Sequence, residues 1–252
     1  MKYVIDYSIC CNKGRLRRKN QDNFLVDGEF LPVENDGFEG IKIGRIDSKE
    51  NAVLAVFDGM GGEQMGEYAA YIASSSLKEK LCEEEADSVQ ALEGYCLHIN
   101  RNICSFVKEN GIKSMGTTGC LINFAEKGIN LCNIGDSKIY HFDGSNMLQL
   151  SVDHNIRTAS GKAPLTQFLG VPEEDFIIQP HSTSVEYAKG DIFLICSDGL
   201  TDMVELSLIQ SVLSSAKSTE SCCETLLTMA LEAGGRDNIT ILVCRVRKKS
   251  LF

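Results

Sequence analysis

Five aspartates stand where short apolar runs give way to tight turns, and their carboxylates could bind hard cations. They are Asp22, Asp58, Asp136, Asp198 and Asp237. Ligand sets made of oxygen alone, without Cys or His, are typical of Mg²⁺ and Mn²⁺. Two carboxylates about 4 Å apart repel by roughly 4 kcal/mol at an effective dielectric of about 20. These acids therefore either lie far apart or are neutralised by divalent cations, and each one alone is more typical of an ordinary turn residue.

The stretch that ends at Asp58 carries the clearest structural signal. Residues 52–57 are six consecutive apolar residues, and Gly59, Gly61 and Gly62 follow the acid. Such a run, bounded by glycines, predicts a strand buried on both faces. Glycines let other backbone or a ligand approach closely. The pattern holds a carboxylate rigidly where a backbone carbonyl and a metal ion could both reach it, and a tight turn with an ordinary Asx turn is the alternative.

A run of cations immediately precedes Asp22. Residues 14–22, called here the basic loop, contain Arg15, Arg17, Arg18 and Lys19. A charged run of this kind is usually a solvated surface. Its position directly before an acid also suits an anion that is held beside a metal ion.

Composition and charge exclude several classes of protein. The chain has 252 residues, of which 43% are apolar and 24% charged, as expected for a globular protein. A net charge of −10 argues against nucleic acid as the main partner. The eleven cysteines are scattered and odd in number, which predicts reduced, buried thiols in a cytoplasmic protein. No signal-peptide pattern and no run of 18 apolar residues is present, so no membrane association is predicted.

Periodicity and turn signals predict both helices and antiparallel strands. Apolar residues at helical spacing predict helices over residues 63–81, 88–110, 203–215 and 219–232. Strands are predicted over residues 3–10, 23–26, 52–57, 118–125, 129–134, 137–142, 147–150, 191–196 and 240–246. Short turns between consecutive strands indicate antiparallel pairing. Residues 28–50 are predicted as a loop or hairpin, and residues 151–175 as irregular.

These elements predict the α+β fold class and a four-layer αββα sandwich. Two mainly antiparallel sheets would pack face to face, with a pair of helices covering the outside of each sheet. No internal repeat or linker divides the chain. Residues 1–252 are therefore predicted to form one domain.

Nine short motifs, in order along the chain, resemble those of the type 2C metal-dependent protein serine/threonine phosphatases. The matching segments are Arg17-x-x-Asn-Gln-Asp22, Val56-Phe-Asp-Gly-Met-Gly-Gly62, Gly66-Glu67, Gly116-Thr-Thr118, Asn133-Ile-Gly-Asp-Ser137, Val152-Asp-His154, Leu169-Gly170, Cys196-Ser-Asp-Gly-Leu-Thr-Asp202 and Arg236-Asp-Asn-Ile-Thr240. They cover nearly the whole chain. The Met-Gly-Gly form after Asp58 is similar to that of bacterial members.

This resemblance implies a site for two Mg²⁺ or Mn²⁺ ions, or three, at one end of the sandwich. The implied ligands are Asp22, Asp58, Gly59, Asp136, Asp198 and Asp237. Asp58 would bridge two ions, with the Gly59 carbonyl on the second. Asp198 and Asp237 would hold the first ion, and Asp136 together with Asp198 would support a third.

The resemblance also implies an activity. It is the hydrolysis of phosphoserine and phosphothreonine in proteins, by attack of a metal-bridging water or hydroxide on phosphorus. Arg17 would bind the substrate phosphate, and Arg17, Asp58 and Asp198 would be the catalytic residues. Supporting positions are Thr118, Asp202, Asn238 and His154.

Four features differ from the family pattern or have two interpretations. Met60 replaces the histidine proposed as general acid in some relatives, and Gln21 stands where some members have a second acid. His154 either supports the site or stabilises a turn through a hydrogen bond. The flap that bacterial relatives carry beside the active site is short here, around residues 154–165.

Three functional hypotheses follow. The first is a cytoplasmic, monomeric phosphatase that acts on phosphoprotein substrates, with a cognate Ser/Thr kinase or its targets as partners. The second is a pseudophosphatase that binds a phosphoprotein without turnover, which missing ligands would favour. The third is a member of the related regulatory branch that dephosphorylates anti-anti-sigma-type proteins.

Overall fold

The structure is a computed structural model that describes residues 3–50, 52–60, 65–83, 87–125, 128–156 and 164–249. Within these ranges the strands are β1 (Tyr3–Asn12), β2 (Asp22–Leu25), β3 (Lys42–Asp47), β4 (Val53–Met60), β5 (Gly116–Thr117), β6 (Gly119–Phe124), β7 (Ile129–Ile134), β8 (Lys138–Phe142), β9 (Met147–Gln149), β10 (His181–Val185), β11 (Ile192–Cys196) and β12 (Ile239–Lys248). The helices are α1 (Gly66–Glu83), α2 (Val89–Glu109), α3 (Asp198–Thr201), α4 (Leu206–Ser215) and α5 (Thr219–Glu232).

The strands form two antiparallel sheets. The first has the order β3-β1-β12-β11-β8-β9, and the second has the order β10-β7-β6-β4-β2, with the short β5 paired to β4. The first and last strands of the chain are neighbours in the first sheet, paired along their full length from Tyr3 opposite Lys248 to Asn12 opposite Ile239. This pairing brings the basic loop, which follows β1, beside the turn that precedes β12.

Strand β4 shows why the apolar runs are continuous. Leu54 and Val56 point into the core between the two sheets. Val53, Ala55 and Phe57 point the opposite way, into a second core beneath α1 and α2. Because successive side chains of a strand alternate between faces, a strand covered on both sides must be apolar throughout. The prediction of a strand buried on both faces is therefore confirmed.

The helices cover the two outer faces of the sandwich. Helices α1 and α2 pack on the second sheet. Helices α3, α4 and α5 pack on the first sheet through a third core. The predicted α+β, four-layer αββα arrangement is confirmed. Within the described ranges, no helix is both long and apolar enough to cross a membrane.

Three predictions of elements were incomplete. Strands β3 and β10 lie at sheet edges, and their polar, partly exposed sequences lack the apolar alternation that marks an inner strand. The helix predicted over residues 203–215 begins only at Leu206, as α4, because Glu205 before it is extended, and the short α3 was not predicted. The separate α3 places Asp198 in its first turn.

All eleven cysteines are free, and most are buried. Burial raises the pKa of the Cys196 thiol to about 12 and also raises that of Cys120. A thiol with such a pKa stays protonated and unreactive at neutral pH. These cysteines therefore act as small apolar side chains of the core.

Candidate metal centre

The sheet register brings the first two acids together. Asp22 at the start of β2 lies directly opposite Asp58 near the end of β4. Directly opposed residues of antiparallel strands have Cβ atoms about 4.5–5.5 Å apart. Asp22 and Asp58 are 36 positions apart in the sequence, yet both carboxylates lie at the same end of the second sheet.

The backbone of Asp58 is held by two threonines. The Asp58 N–H donates to Thr118 Oγ1 at 3.1 Å, and the Thr118 N–H donates to the Asp58 carbonyl at 2.9 Å. Thr117 Oγ1 donates to the same carbonyl at 2.9 Å. Thr118 Oγ1 is also 2.7 Å from Ser137 Oγ, next to Asp136. Thr118 therefore connects the segments that carry Asp58 and Asp136.

Gly59 is required by the close approach of other backbone. A Cβ atom built on it would lie 2.1 Å from the Gly66 carbonyl oxygen and 2.5 Å from the Gln21 carbonyl oxygen. The Gly59 N–H donates to that Gln21 carbonyl at 3.0 Å. Gly61 and Gly62, which belong to the same motif, lie outside the described residues.

Replacing Gly59 with alanine is expected to destabilise the protein by about 2 kcal/mol or more, because backbone atoms must move to admit the methyl group. Gly94 is the matched control, since it lies in α2 with open space around its Cα atom. There the same substitution should stabilise by about 0.5–1 kcal/mol. Urea unfolding of both variants measures the contrast, and equal effects of the two substitutions would contradict the tight approach at Gly59.

Asp22 is a buried carboxylate in which one oxygen accepts hydrogen bonds and the other has no hydrogen-bond partner among the described residues. Its Oδ2 accepts hydrogen bonds from Ser197 Oγ at 2.8 Å and Thr240 Oγ1 at 2.7 Å. Its Oδ1 is buried and has no hydrogen-bond partner among the described residues. Ser197 directly precedes Asp198, so this contact links the segment that carries Asp198 to Asp22, which lies opposite Asp58.

The turns that carry Asp198 and Asp237 are packed against each other. A Cβ atom on Gly199 would lie 1.9 Å from the carbonyl oxygen of Asn238. The Ser197 N–H donates to the Thr240 carbonyl at 3.1 Å. The glycine after Asp198 thus permits the close approach that brings these two turns together.

Asn238 fixes the basic loop to this region. Its Nδ2 donates to the carbonyl of Lys13 at 2.9 Å and to that of Lys19 at 3.0 Å. Its Oδ1 accepts from the Gln21 N–H at 2.9 Å. The loop is therefore positioned so that Arg17 Nη2 contacts Asp237 Oδ2 at 2.6 Å.

Four aspartates act electrostatically on Asp58, and the five residues are called here the acid cluster (Asp22, Asp58, Asp136, Asp198 and Asp237). Burial raises the pKa of Asp58 well above its usual value, and the charges of the other four acids raise it further. Burial likewise raises the pKa of Asp22 to about 7. The other four acids therefore lie within electrostatic reach of Asp58.

Asp136 lies on the far side of the cluster, in a loop that two neighbours hold. Lys138 Nζ donates to the Asp136 carbonyl at 2.8 Å and pairs with the Asp153 carboxylate at 3.1 Å. The Gly135 N–H donates to His154 Nδ1 at 3.1 Å, and the His154 N–H donates to the Gly135 carbonyl at 3.0 Å. This reciprocal pair matches the turn-stabilising interpretation of His154.

The remaining predicted residue, Asp202, caps α3. Its N–H donates to the Asp198 carbonyl at 2.8 Å.

Sequence reasoning missed the hydroxyl groups of Ser197 and Thr240, which donate hydrogen bonds to Asp22. Their only signal was their place inside the motifs around Asp198 and Asp237.

The donors of the acid cluster suit a hard divalent cation. They are oxygens alone, and they include the unsatisfied, buried Oδ1 of Asp22. In the part of the chain that the structure describes, no group of three or more His, Cys, Asp or Glu side chains is arranged so that it could hold a metal ion as it stands. Asp237 is instead paired with Arg17 at 2.6 Å.

Comparison with known proteins gives the family. A family model described as Protein phosphatase 2C matches residues 42–234. The chain belongs to the protein phosphatase 2C family. The serine/threonine phosphatase stp of Listeria welshimeri is 28% identical over 256 residues, which is 92% of each protein. The serine/threonine protein phosphatase PstP of Mycobacterium tuberculosis is 31% identical and covers 96% of this chain, which matches 45% of that protein.

Solved structures agree in fold over nearly the whole chain. The catalytic domain of the phosphatase PstP, crystallised with two manganese ions, superposes with a TM-score of 0.77 at 26% identity, covering 98% of this chain and 100% of that one. PppA of Pseudomonas aeruginosa has a TM-score of 0.79 at 24% identity, covering 97% and 99% of the two chains. At 24% identity, the match to PppA supports the fold assignment only.

Proposed function

We propose that this member of the family hydrolyses phosphoserine and phosphothreonine in proteins, and that the acid cluster holds two Mg²⁺ or Mn²⁺ ions, or three. The observation that carries the proposal is the convergence of five aspartates beside Arg17. The charges of the other four acids raise the pKa of Asp58, so all of them lie within electrostatic reach of it. Asp22, Asp136 and Asp198 are buried, and gathering buried carboxylates is unfavourable unless cations neutralise them.

The residues divide between metal binding and support. Following the family resemblance, Asp58, with the Gly59 carbonyl next to it, is assigned to both ions. Asp198 and Asp237 are assigned to the first ion, and Asp22 lies close by. Asp136, together with Asp198, is assigned to a third ion.

Arg17 is assigned to the substrate phosphate. One of its terminal nitrogens contacts Asp237, and about half of its side chain is exposed to solvent. A guanidinium has five N–H donors in a planar fork, so several remain for phosphoryl oxygens. Bound divalent cations would supply an acidified water molecule and neutralise charge on the phosphoryl group.

His154 is not assigned as the general acid. Burial lowers its pKa, and its Nδ1 accepts a hydrogen bond from the Gly135 N–H. Both observations favour the neutral ring at physiological pH. Met60, which replaces the histidine of some relatives, has no proton to give.

The test is phosphate release from a phosphothreonine peptide in Mn²⁺, in Mg²⁺ and in EDTA. Release that requires the metal and exceeds release from a matched phosphotyrosine peptide is the expected result. A folded protein that releases no phosphate in either metal would overturn the proposal and would favour phosphoprotein binding without turnover. None of the five acids implied as ligands is missing from the chain, so no observation favours that alternative at present.

Changing Arg17 to lysine is expected to lower kcat/KM for the phosphopeptide by about 10–100-fold, mainly through KM. Charge-assisted hydrogen bonds contribute about 1.5–3 kcal/mol, and lysine cannot reproduce the planar fork. Steady-state kinetics and inhibition by inorganic phosphate measure the effect. Arg101→Lys, at an exposed position of α2, is the control. An unchanged KM would show that Arg17 forms an ion pair with Asp237 but does not bind the substrate phosphate.

Several finer features belong to the same proposal. We place the enzyme in the cytoplasm, which its free, buried cysteines support. We also expect a monomer, with a cognate Ser/Thr kinase or its targets as partners. We treat residues 1–252 as one catalytic domain with a shortened flap around residues 154–165. Residues 157–163 of that flap lie outside the described residues.

A further inference from the structure

The basic loop carries two arginines that the proposed chemistry does not use. Arg15 and Arg18 lie on either side of Arg17, and all three side chains are exposed. Arg17 pairs with Asp237 at 2.6 Å, and Lys19 pairs with Glu67 at 2.5 Å. Among the residues that the structure describes, Arg15 and Arg18 have no ion-pair partner. Two exposed positive charges without a salt bridge to any described residue therefore lie in sequence beside Arg17, the candidate phosphate-binding group.

The loop presents these charges from a fixed backbone. The Arg15 N–H donates to the Gly235 carbonyl at 2.7 Å. Asn238 accepts from the Gln21 N–H at 2.9 Å and donates to the Lys19 carbonyl at 3.0 Å. A surface held in this way loses little conformational entropy when it binds a ligand.

The surroundings of Arg18 leave room for a peptide. Arg18 and Lys19 line a cleft of about 400 Å³, together with Glu34, Asp36 and Glu67. Asp36 and Glu67 are each ion-paired with a lysine, at 2.8 Å and 2.5 Å. Glu34 is therefore the remaining acid in the lining without a salt bridge among the described residues. The net charge of the whole chain is −10, so this loop is a local exception to a negative protein.

We infer that Arg15 and Arg18 bind acidic residues that flank the phosphorylated side chain, so that the preferred substrates are phosphoproteins whose phosphosite lies in an acidic stretch. This inference rests on the proposed phosphatase function. An extended peptide advances about 3.3 Å per residue, so carboxylates two or three residues from the phosphosite lie about 7–10 Å away along the chain. Arg15 and Arg18 stand two positions and one position from Arg17 in the basic loop, so we assign carboxylates at these distances to them.

The test compares two phosphothreonine peptides that share a core and differ in their flanks, one with Asp and Glu and the other with Lys. At low salt, kcat/KM is expected to favour the acidic peptide by about tenfold, since exposed ion pairs are individually weak but add. At about 1 M salt, where the Debye length is about 3 Å, the preference should largely disappear.

Reversing the charges of Arg15 and Arg18 distinguishes a change in substrate recognition from a loss of folding. The double variant Arg15→Glu/Arg18→Glu is expected to invert the preference toward the basic peptide, a gain that a damaged protein cannot show. Glu34→Gln is expected to increase the acidic preference by about two- to threefold, because it removes a repelling charge. Arg101→Glu/Lys113→Glu makes the same net change at exposed positions elsewhere and should leave the preference unchanged.

The possible failures are distinguishable. If the wild type hydrolyses both peptides with equal kcat/KM, or if the double variant keeps the acidic preference, the flank inference is overturned and the phosphatase function stands. If the wild type hydrolyses neither peptide in Mn²⁺, the proposed function fails, and this inference fails with it.

Discussion

Replacing Asp58 with asparagine is expected to lower phosphate release from a phosphothreonine peptide by about a thousandfold or more. Metal-assisted stabilisation of the transition state contributes several kcal/mol, and about 1.4 kcal/mol corresponds to a factor of ten. Asp58 is the acid on which the charges of the other four act, so its loss should disturb both proposed ions. The measurement is steady-state kinetics over a range of Mn²⁺ concentrations.

Stability provides an internal control for this variant. The amide removes one of several repelling charges, so metal-free Asp58→Asn should unfold at the same temperature as the wild type or a higher one. Loss of activity then cannot be caused by loss of the fold. Asp175→Asn, at an exposed position, should change neither property. A variant at position 58 that keeps a tenth or more of the wild-type rate would show that Asp58 is not a metal ligand.

Metal is expected to reverse the pH dependence of stability. Without metal, burial raises the pKa of Asp22 to about 7, whereas an unfolded aspartate has a pKa of about 3.9. Between these two values the folded state binds more protons than the unfolded state. Stability contributed by Asp22 is therefore present at low pH and is lost as the pH rises toward 7.

The expected size of this loss is roughly 2–4 kcal/mol, or about 5–10 °C in Tm for a domain of this size. With saturating Mn²⁺ the sign should change, because ligands must be deprotonated to bind a cation. Thermal unfolding between pH 5 and 8, in EDTA and in Mn²⁺, measures both slopes. Asp22→Asn is the matched variant and should flatten the slope in EDTA. The same slope for wild type and variant in EDTA would show that the titration of Asp22 is not coupled to folding.

The inner framework of the fold follows from hydrophobic pattern alone. The run that became β4 is apolar at every position because both its faces are covered. The apolar residues of α1 and α2 recur at helical spacing because one face of each helix packs on the second sheet. Strands β3 and β10 were missed because an edge strand with polar, exposed positions carries no such pattern.

The site was only partly predictable from physical chemistry. Each aspartate was recognisable as a turn residue or a ligand, but their convergence depends on sheet register, such as Asp22 opposite Asp58. Register between distant strands is not encoded in any local pattern, so resemblance to a family had to supply it. The hydroxyls of Ser197 and Thr240 on Asp22 are likewise long-range contacts.

The most direct test of the proposed centre is a crystal of the protein grown with Mn²⁺ and examined by anomalous scattering. The expected result is two manganese peaks that share the Asp58 carboxylate, with Asp198 and Asp237 on one of them. Manganese bound elsewhere, or no peak in contact with Asp58 in a crystal that contains the ion, would contradict the proposal that this acid cluster is the catalytic metal centre.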